Sequence, residues 1–403
     1  MQHRPSATDL RTPPPDAGNP ALIAAIRAEM HGNGGRLTFA DFMNLALYHP
    51  VHGYYLAPER RPGREGDFLT APETHPFFGM TLARQIAECW ERLGRPNPFT
   101  VREDGAGVGG LAYDIIAGLS VEAPELLATL RYRLVEANPY RREDAQAAMA
   151  EVGLDHLVAV EPPPSSDPDQ IVGVALANEV ADAFPVHRLV WRHGVLRERF
   201  VVWNDAGFGD QEADLSPEAE ATDPMTTLVD AGVILHEGDA IEISPAAASW
   251  FGGVGRGLGR GYAIVVDYGY PAAQLYRDHR LTGTLRAHAR HTVTDDPFRH
   301  VGQEDLTAHV DFSALQRAGE QAGLTFAGLT TQGGLLASLG LGDLLVRMQG
   351  DPTTTAADYL ATQAAVLRLI DPGGMGRFGV LIMARDAPVV PPLRGLVERG
   401  PAF

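Results

Sequence analysis

Between residues 98 and 154 the chain alternates twice between an extended run and a helical one, and this limits the possible folds more than any other feature. PFTVRED (98–104) is extended, GAGVGG (105–110) is a glycine turn, and LAYDIIAGL (111–119) has helical spacing. LRYRLVEA (130–137) is extended again, and PYRREDAQAAMAEVGL (139–154) is helical, with Pro139 suited to a first turn. A third apolar run, IVGVALANEV (171–180), reads as a buried parallel strand, and GYAIVVDYGY (261–270) repeats that pattern. Parallel strands need crossovers, and crossovers that are helices cover both faces of a sheet. The expectation is an α/β protein with a Rossmann-like, doubly wound sheet.

Helical periodicity brackets this core. Residues 21–30, a run from Thr38 to Pro50, residues 76–96, 311–324 and 359–370 carry it, and GRFGVLIMAR (376–385) reads as a terminal strand. Residues 188–204 pair two β-rich runs around His193-Gly194. The organisation expected is a disordered tail over 1–20, rich in Pro, and an N-terminal helical and lid segment over 21–95. The core then spans 96–275 with an insertion at about 188–245, and 276–390 completes the core and an acceptor face. The polar stretch 283–312 reads as an ordered excursion over that face.

Gly105, Ala106, Gly107 and Gly109 form the turn between the first strand and its helix. Glycine lets a backbone approach a ligand without a Cβ clash, and a helix N-terminus offers free N–H groups to an anion. Glu136, followed by Ala137, ends the second strand, where a carboxylate can accept both hydroxyls of a ribose. These residues point to an adenosine-bearing cofactor, and both a nicotinamide dinucleotide and S-adenosyl-L-methionine satisfy them. A turn that binds nothing and a surface acid are the plain alternatives.

Composition excludes several chemistries. All 33 basic residues are Arg, so a phosphate loop ending in Lys and a Schiff-base lysine are both impossible. Cys89 is the only cysteine, which rules out an intramolecular disulfide and a cysteine-based zinc site. The net charge of −18 and the absence of a basic run argue against nucleic acid and for a cationic partner. No apolar run reaches the ~18 residues of a membrane span. With no secretory or transit-type leader evident, a cytoplasmic protein is expected. His49 and His52, like His288 and His291, have HxxH spacing but no evident third ligand, so no metal is expected.

The chain resembles the MidA family of methyltransferases. The resemblance rests on FADFMNLALYHPVHGYY (39–55), GDFLTAPETHPFFG (66–79), GAGVGGL (105–111), LVEANP (134–139) and ANEVADAFPVHRL (177–189), and spans about residues 21–385. It implies a class I methyltransferase core with S-adenosyl-L-methionine as donor. It also implies a protein substrate presenting arginine, with a respiratory-complex subunit as one partner and a homodimer as one assembly. On this reading Glu179 and Asp182 bind the acceptor, and Asn178 orients it or the cofactor. Thr70, Pro72 and Glu73 belong to a lid over the cofactor, beside Gly105, Ala106, Gly107, Gly109, Glu136 and Ala137. The alternatives are another acceptor on the same scaffold, a non-catalytic assembly factor that only binds its partner, and a dehydrogenase. Asp104 stands where the family carries an aliphatic residue, and Val180 and Ala181 where it carries bulkier ones.

Overall fold

A computed structural model describes residues 18–57, 70–165, 169–277, 282–290 without the last, and 292–397. Most of the expected tail over 1–20 lies outside these residues. The seven strands of the main sheet are β1 (Phe99–Asp104), β2 (Leu130–Val135), β3 (Val158–Glu161), β4 (Ile171–Asn178), β5 (Leu258–Asp267), β6 (Thr325–Thr331) and β7 (Gly379–Arg385). They lie in the order β6-β7-β5-β4-β1-β2-β3. β7 runs antiparallel to both its neighbours, whereas the pairings among β1 to β5 are parallel. Strand order reverses at β1 and β4, and the crevice beyond their carboxyl ends is where open α/β sheets bind ligands.

The helices that fix this sheet follow from local sequence. The helices α1 (Pro20–Gly32) and α2 (Phe39–Tyr48) are capped by the side chains of Asn19 and Thr38. Helix α3 (Phe77–Arg92) and helix α4 (Gly110–Glu122) pack on one face of the sheet, where Phe78, Leu82, Ile86, Ile115 and Leu119 are buried with Val101, Tyr132 and Leu134. Helix α5 (Pro139–Glu151) has Asn138 as its cap and Pro139 as its first residue. Helices α6 (Pro245–Gly257) and α7 (Phe312–Gln321) cover the other face through Phe251, Val254, Phe312 and Leu315.

The connection from β3 to β4 is different. Residues 162–170 contain no helix among those described, so the face of β1 and β2 on that side carries Arg102, Asp104, Arg131 and Arg133 instead of an apolar layer. Arg102 pairs with Asp104, and Arg133 with Glu161. In LRYRLV the alternation of apolar residues with Arg131 and Arg133 is the sequence trace of this face, whereas all six residues of FTVRED are buried.

A second core sits beside the sheet. It gathers Leu22, Ile26, Phe39, Phe42 and Leu47 from α1 and α2, Val186 and Val201 from the insertion, and Leu285, Val301 and Leu306 from the C-terminal part. Residues 21–95, read together from the sequence, thus divide between two cores. The chain leaves the main sheet after Asn178 and returns through α6. Between them, His187–Arg192, Val195–Asn204, Gly207–Ala213 and Ala240–Ile243 form an antiparallel sheet that Arg36–Leu37 joins. The stretch 283–312, which gave few periodic cues, contains short strands Arg286–Ala289, Thr292–Thr294 and Asp305–Thr307 in antiparallel pairing. Such brief strands are too short to establish a period-2 signal.

Helices α3 and α4 approach closely because Gly118 lacks a side chain. A Cβ there would lie 2.6 Å from Ala83 Cβ and 2.8 Å from Met80 Cα. Gly118→Ala is therefore expected to destabilise the fold by about 1–3 kcal/mol through overpacking. Chemical denaturation checks this: the midpoint should fall while the slope of the transition stays constant.

Candidate active site

Five consecutive strands end in, or are followed at once by, a carboxylate: Asp104, Glu136, Glu161, Glu179 and Asp267. Burial and hydrogen bonding give them different tasks. A cavity of about 770 Å³ runs along the carboxyl ends of β1, β2 and β4, lined by Asp104, Gly105, Glu136 and Glu179 among others. That size accommodates a nucleoside cofactor with room beside it.

The glycine turn adopts left-handed backbone at Gly105 (φ 71°), Gly107 (φ 57°) and Gly109 (φ 85°), and Gly109 leads into α4. A Cβ on Gly105 would meet Val180 Cγ2 at 2.5 Å, so the two turns are in direct contact. Glu136 accepts from the backbone N–H of Gly107 at 2.9 Å and of Asn138 at 2.8 Å, which binds the second strand's end to the glycine turn. Ala137 lines the cavity next to it. Two buried polar atoms, Asn178 Oδ1 and Arg141 Nη2, find no partner among the described residues, and Arg141 lines the cavity. Glycines that admit close approach, an acid at the ribose position and unspent polar atoms fit an adenosyl cofactor.

At the floor, Arg102 grips Asp104 through two bonds of 2.9 and 3.2 Å, and Trp250 Nε1 donates to the same carboxylate at 3.2 Å. Burial pushes the Asp104 carboxyl upward, and Arg102 opposes that shift. Asp104, Arg102 and Trp250 thus form one hydrogen-bonded group.

Glu179 lies in the left-handed region (φ 52°), unusual for a side chain larger than Asn. The fully buried carboxylate of Asp267 holds this turn. It accepts from the N–H groups of Val180 (3.0 Å), Ala181 (2.7 Å) and Tyr268 (2.7 Å). Glu179 Oε1 accepts from Ala71 N at 2.9 Å and Asn178 Nδ2 at 3.1 Å. Burial raises the Glu179 carboxyl to about 7, with Asp267 and Glu73 adding repulsion and the two donors opposing it. Asp182 sits in a 3-10 turn (Ala181–Ala183); burial, then Asp267, Asp305 and Glu179, push its carboxyl well above the usual range. Burial likewise lifts Asp267 to about 6, against the backbone N–H groups around it.

The residues expected in the lid serve the local frame. Thr70 caps the short helix Ala71–Thr74, and Glu73 accepts from Thr70 N and Thr70 Oγ1, both at 3.1 Å, in a capping box. Pro72 occupies the first turn of that helix. The segment reaches the site through Ala71 N, which holds Glu179. His49 Nδ1 accepts from the N–H groups of Val51 and His52, and His288 Nε2 lies 3.2 Å from Thr307 Oγ1; His291 lies outside the described residues.

Sequence reasoning missed Tyr48 and Tyr55, which line the cavity, and Asp267, which braces Glu179. A signal for Asp267 was available, since it ends the strand next to β4 at the carboxyl edge.

Comparison with known proteins follows from this geometry. Residues 81–330 match the family described as "Putative S-adenosyl-L-methionine-dependent methyltransferase". A relative from Drosophila melanogaster, named protein arginine methyltransferase NDUFAF7 homolog, mitochondrial, is 27% identical over 91% of this chain and 86% of its own. The Xenopus tropicalis protein arginine methyltransferase NDUFAF7, mitochondrial, is 27% identical over 90% of this chain and 86% of its own. Among solved structures, a COG1565 superfamily member from Burkholderia thailandensis, bound to S-adenosyl-homocysteine, is 33% identical. It covers 98% of this chain and 100% of its own with a TM-score of 0.82. The relatives' names contradict the cytoplasmic expectation, since the fly and frog proteins are both named as mitochondrial. One buried cysteine suits either reducing compartment and never distinguished them. Among the described residues, no helix is long and apolar enough to cross a membrane.

Asp267→Ala would strand three backbone donors in a buried turn. The expected loss is about 3–5 kcal/mol of stability, at 1–3 kcal/mol per unsatisfied buried group with partial rescue by water. Thermal unfolding measures it, and a variant as stable as the parent would remove Asp267 as the brace.

Proposed function

The chain belongs to this family of S-adenosyl-L-methionine-dependent methyltransferases, and we propose that it transfers methyl groups to arginine of a protein partner. The observation that carries the acceptor assignment is Glu179, a carboxylate held at the cavity wall by Ala71 N and Asn178 Nδ2 with burial raising it to about 7. The relatives named as protein arginine methyltransferases supply the acceptor class. A net charge of −18 suits a partner segment that is cationic. Within this proposal, a respiratory-complex subunit is the partner that the family resemblance favours, and a homodimer the assembly.

Bound S-adenosyl-L-methionine supplies a methyl group on a positively charged sulfur. The chain's residues do the rest. Gly105, Ala106, Gly107 and Gly109 admit the cofactor close to the backbone, and Glu136 turns from Gly107 N toward the ribose hydroxyls. Asn178 fixes Glu179 through its Nδ2. Glu179, ionised, pairs with the guanidinium and draws its positive charge away from the nitrogen that attacks. That nitrogen would lose one proton to Glu179 as its bond to the methyl carbon forms and the methyl carbon–sulfur bond breaks, the bonding pair leaving with the sulfur of S-adenosyl-homocysteine. Asp182, whose carboxyl burial and then its acidic neighbours push upward, stands beside the pair as a further hydrogen-bonding group. Thr70, Pro72 and Glu73 keep Ala71 N aimed at Glu179.

The pH dependence follows from the sign of the shift. A carboxyl raised to about 7 is protonated below that value and cannot pair with a cation. The parameter kcat/KM should rise with pH through a single ionisation near 7 and flatten above it. The shift opposes stability: ionised Glu179 costs the folded state, so stability present at low pH is lost as pH rises through about 7. Glu179→Gln should keep cofactor affinity, melt no lower than the parent at pH 8, and lose about a hundredfold or more in turnover. Its residual activity should no longer titrate near pH 7. Radiolabelled methyl transfer to an arginine-rich peptide reads the rate; unchanged turnover would remove Glu179 from the chemistry.

A further inference from the structure

The segment from Phe39 to Tyr55, once folded, contributes more than packing. Helix α2 presents Asn44 and Tyr48, one turn apart, to the cavity, and Tyr55 joins them from the loop beyond. Neither tyrosine is fully buried. Their rings stack with centroids 5.5 Å apart and planes at 24°. Glu179 and Val180 line the same cavity from β4.

Both hydroxyls are already spent. Tyr48 Oη donates to the carbonyl of Ala183 at 3.0 Å, and Tyr55 Oη donates to Asp305 Oδ1 at 2.8 Å. The carbonyl of Tyr55 accepts from Asn138 Nδ2 at 2.7 Å, next to the turn that carries Glu136. The pair therefore bridges the cofactor end of the cavity, at Asn138, to its acidic end, at Ala183 and Asp305. Burial and the neighbouring Asp305 and Asp182 push both phenols upward, so the rings stay neutral and take no proton. With the hydroxyls anchored, the rings can offer the cavity only carbon surface and π-electrons.

We propose that Tyr48 and Tyr55 form the wall that selects a planar guanidinium over an ammonium as the methyl acceptor, with Asn44 at its rim. This rests on the acceptor reading given above and deepens it. A guanidinium is flat and weakly hydrated, so it can stack on an aromatic face while its edge meets a carboxylate such as Glu179. The ammonium of Lys is compact and strongly hydrated, and gains less from the same wall. The tyrosines act through ring faces, and this separates them from Glu179, which acts through charge.

The test uses the full chain with S-adenosyl-L-methionine, an Arg-Gly-Gly peptide and the matching Lys-Gly-Gly peptide. Binding of both peptides is measured alongside, by calorimetry in the presence of S-adenosyl-homocysteine. Tyr48→Leu and Tyr55→Leu should raise KM and Kd for the arginine peptide about tenfold, the size of a desolvated cation–π contact. Cofactor Kd should stay within about twofold, and the arginine-over-lysine preference should shrink. Tyr48→Phe keeps the face, loses only the anchoring hydroxyl, and should recover most of the KM. Leu and Phe variants that fail alike would overturn the proposal, as would a loss confined to cofactor binding. If the parent protein methylates and binds no arginine peptide, the acceptor reading fails and the wall falls with it. If it methylates arginine and the Leu variants keep their KM, the wall alone is wrong.

Discussion

The buried carboxylate of Asp267 is the interaction on which the site depends. One side chain at the end of β5 gathers three backbone N–H groups and so fixes the turn after β4. That turn holds Glu179 in a left-handed conformation that it would not choose alone. Neighbouring parallel strands end at the same level, so an acid on one can brace the loop of the next. The sheet thus converts strand register into the position of one carboxylate. Its cost is electrostatic, since Asp267 makes both Glu179 and Asp182 harder to ionise.

The five strand-end acids divide the edge by environment. Glu136 faces the cavity and bonds only to backbone, so a ligand can replace those partners. Glu161 and Asp104 are taken by arginines. Asp267 is wholly internal, and Glu179 is left between burial and the cavity, with its carboxyl raised to about 7. Identical chemistry at equivalent positions yields a cavity-facing acid, two structural ion pairs, a brace and a group with a raised carboxyl.

Much of this was legible in the sequence. The strand β4 and the helices around the glycine turn announce themselves because long buried segments carry strong periodicity. Glu136 and Glu179 were found because they stand at the carboxyl ends of strands. Three things were hidden. Short strands such as Arg286–Ala289 leave no period to read. The second core joins segments that have no mark of their contact, since each alone is merely a helix or a strand with an apolar side. Tyr48 and Tyr55 look like core aromatics in the chain, and only the meeting of α2 with Ala183 and Asp305 turns them toward a cavity. Glu73, readable as a ligand, spends its carboxylate on a cap because Thr70 lies three residues before it.

The second core also sets an order in time. Its parts come from residues 22–54, 186–201 and 285–308. During synthesis from the N-terminus, the apolar faces of α1 and α2 wait for their last partners until residue 308 has emerged. The strands of the main sheet up to β5 have by then been made, and contacts so distant in sequence form late. The cavity wall that α2 supplies is accordingly completed after the glycine turn and Glu136 are in place. A nascent chain would hold the half of the cavity formed by the glycine turn before the half walled by α2 exists, and would carry an uncovered apolar surface through that interval. Cells that make this protein have reason to shield its first fifty residues until the three-hundredth is available.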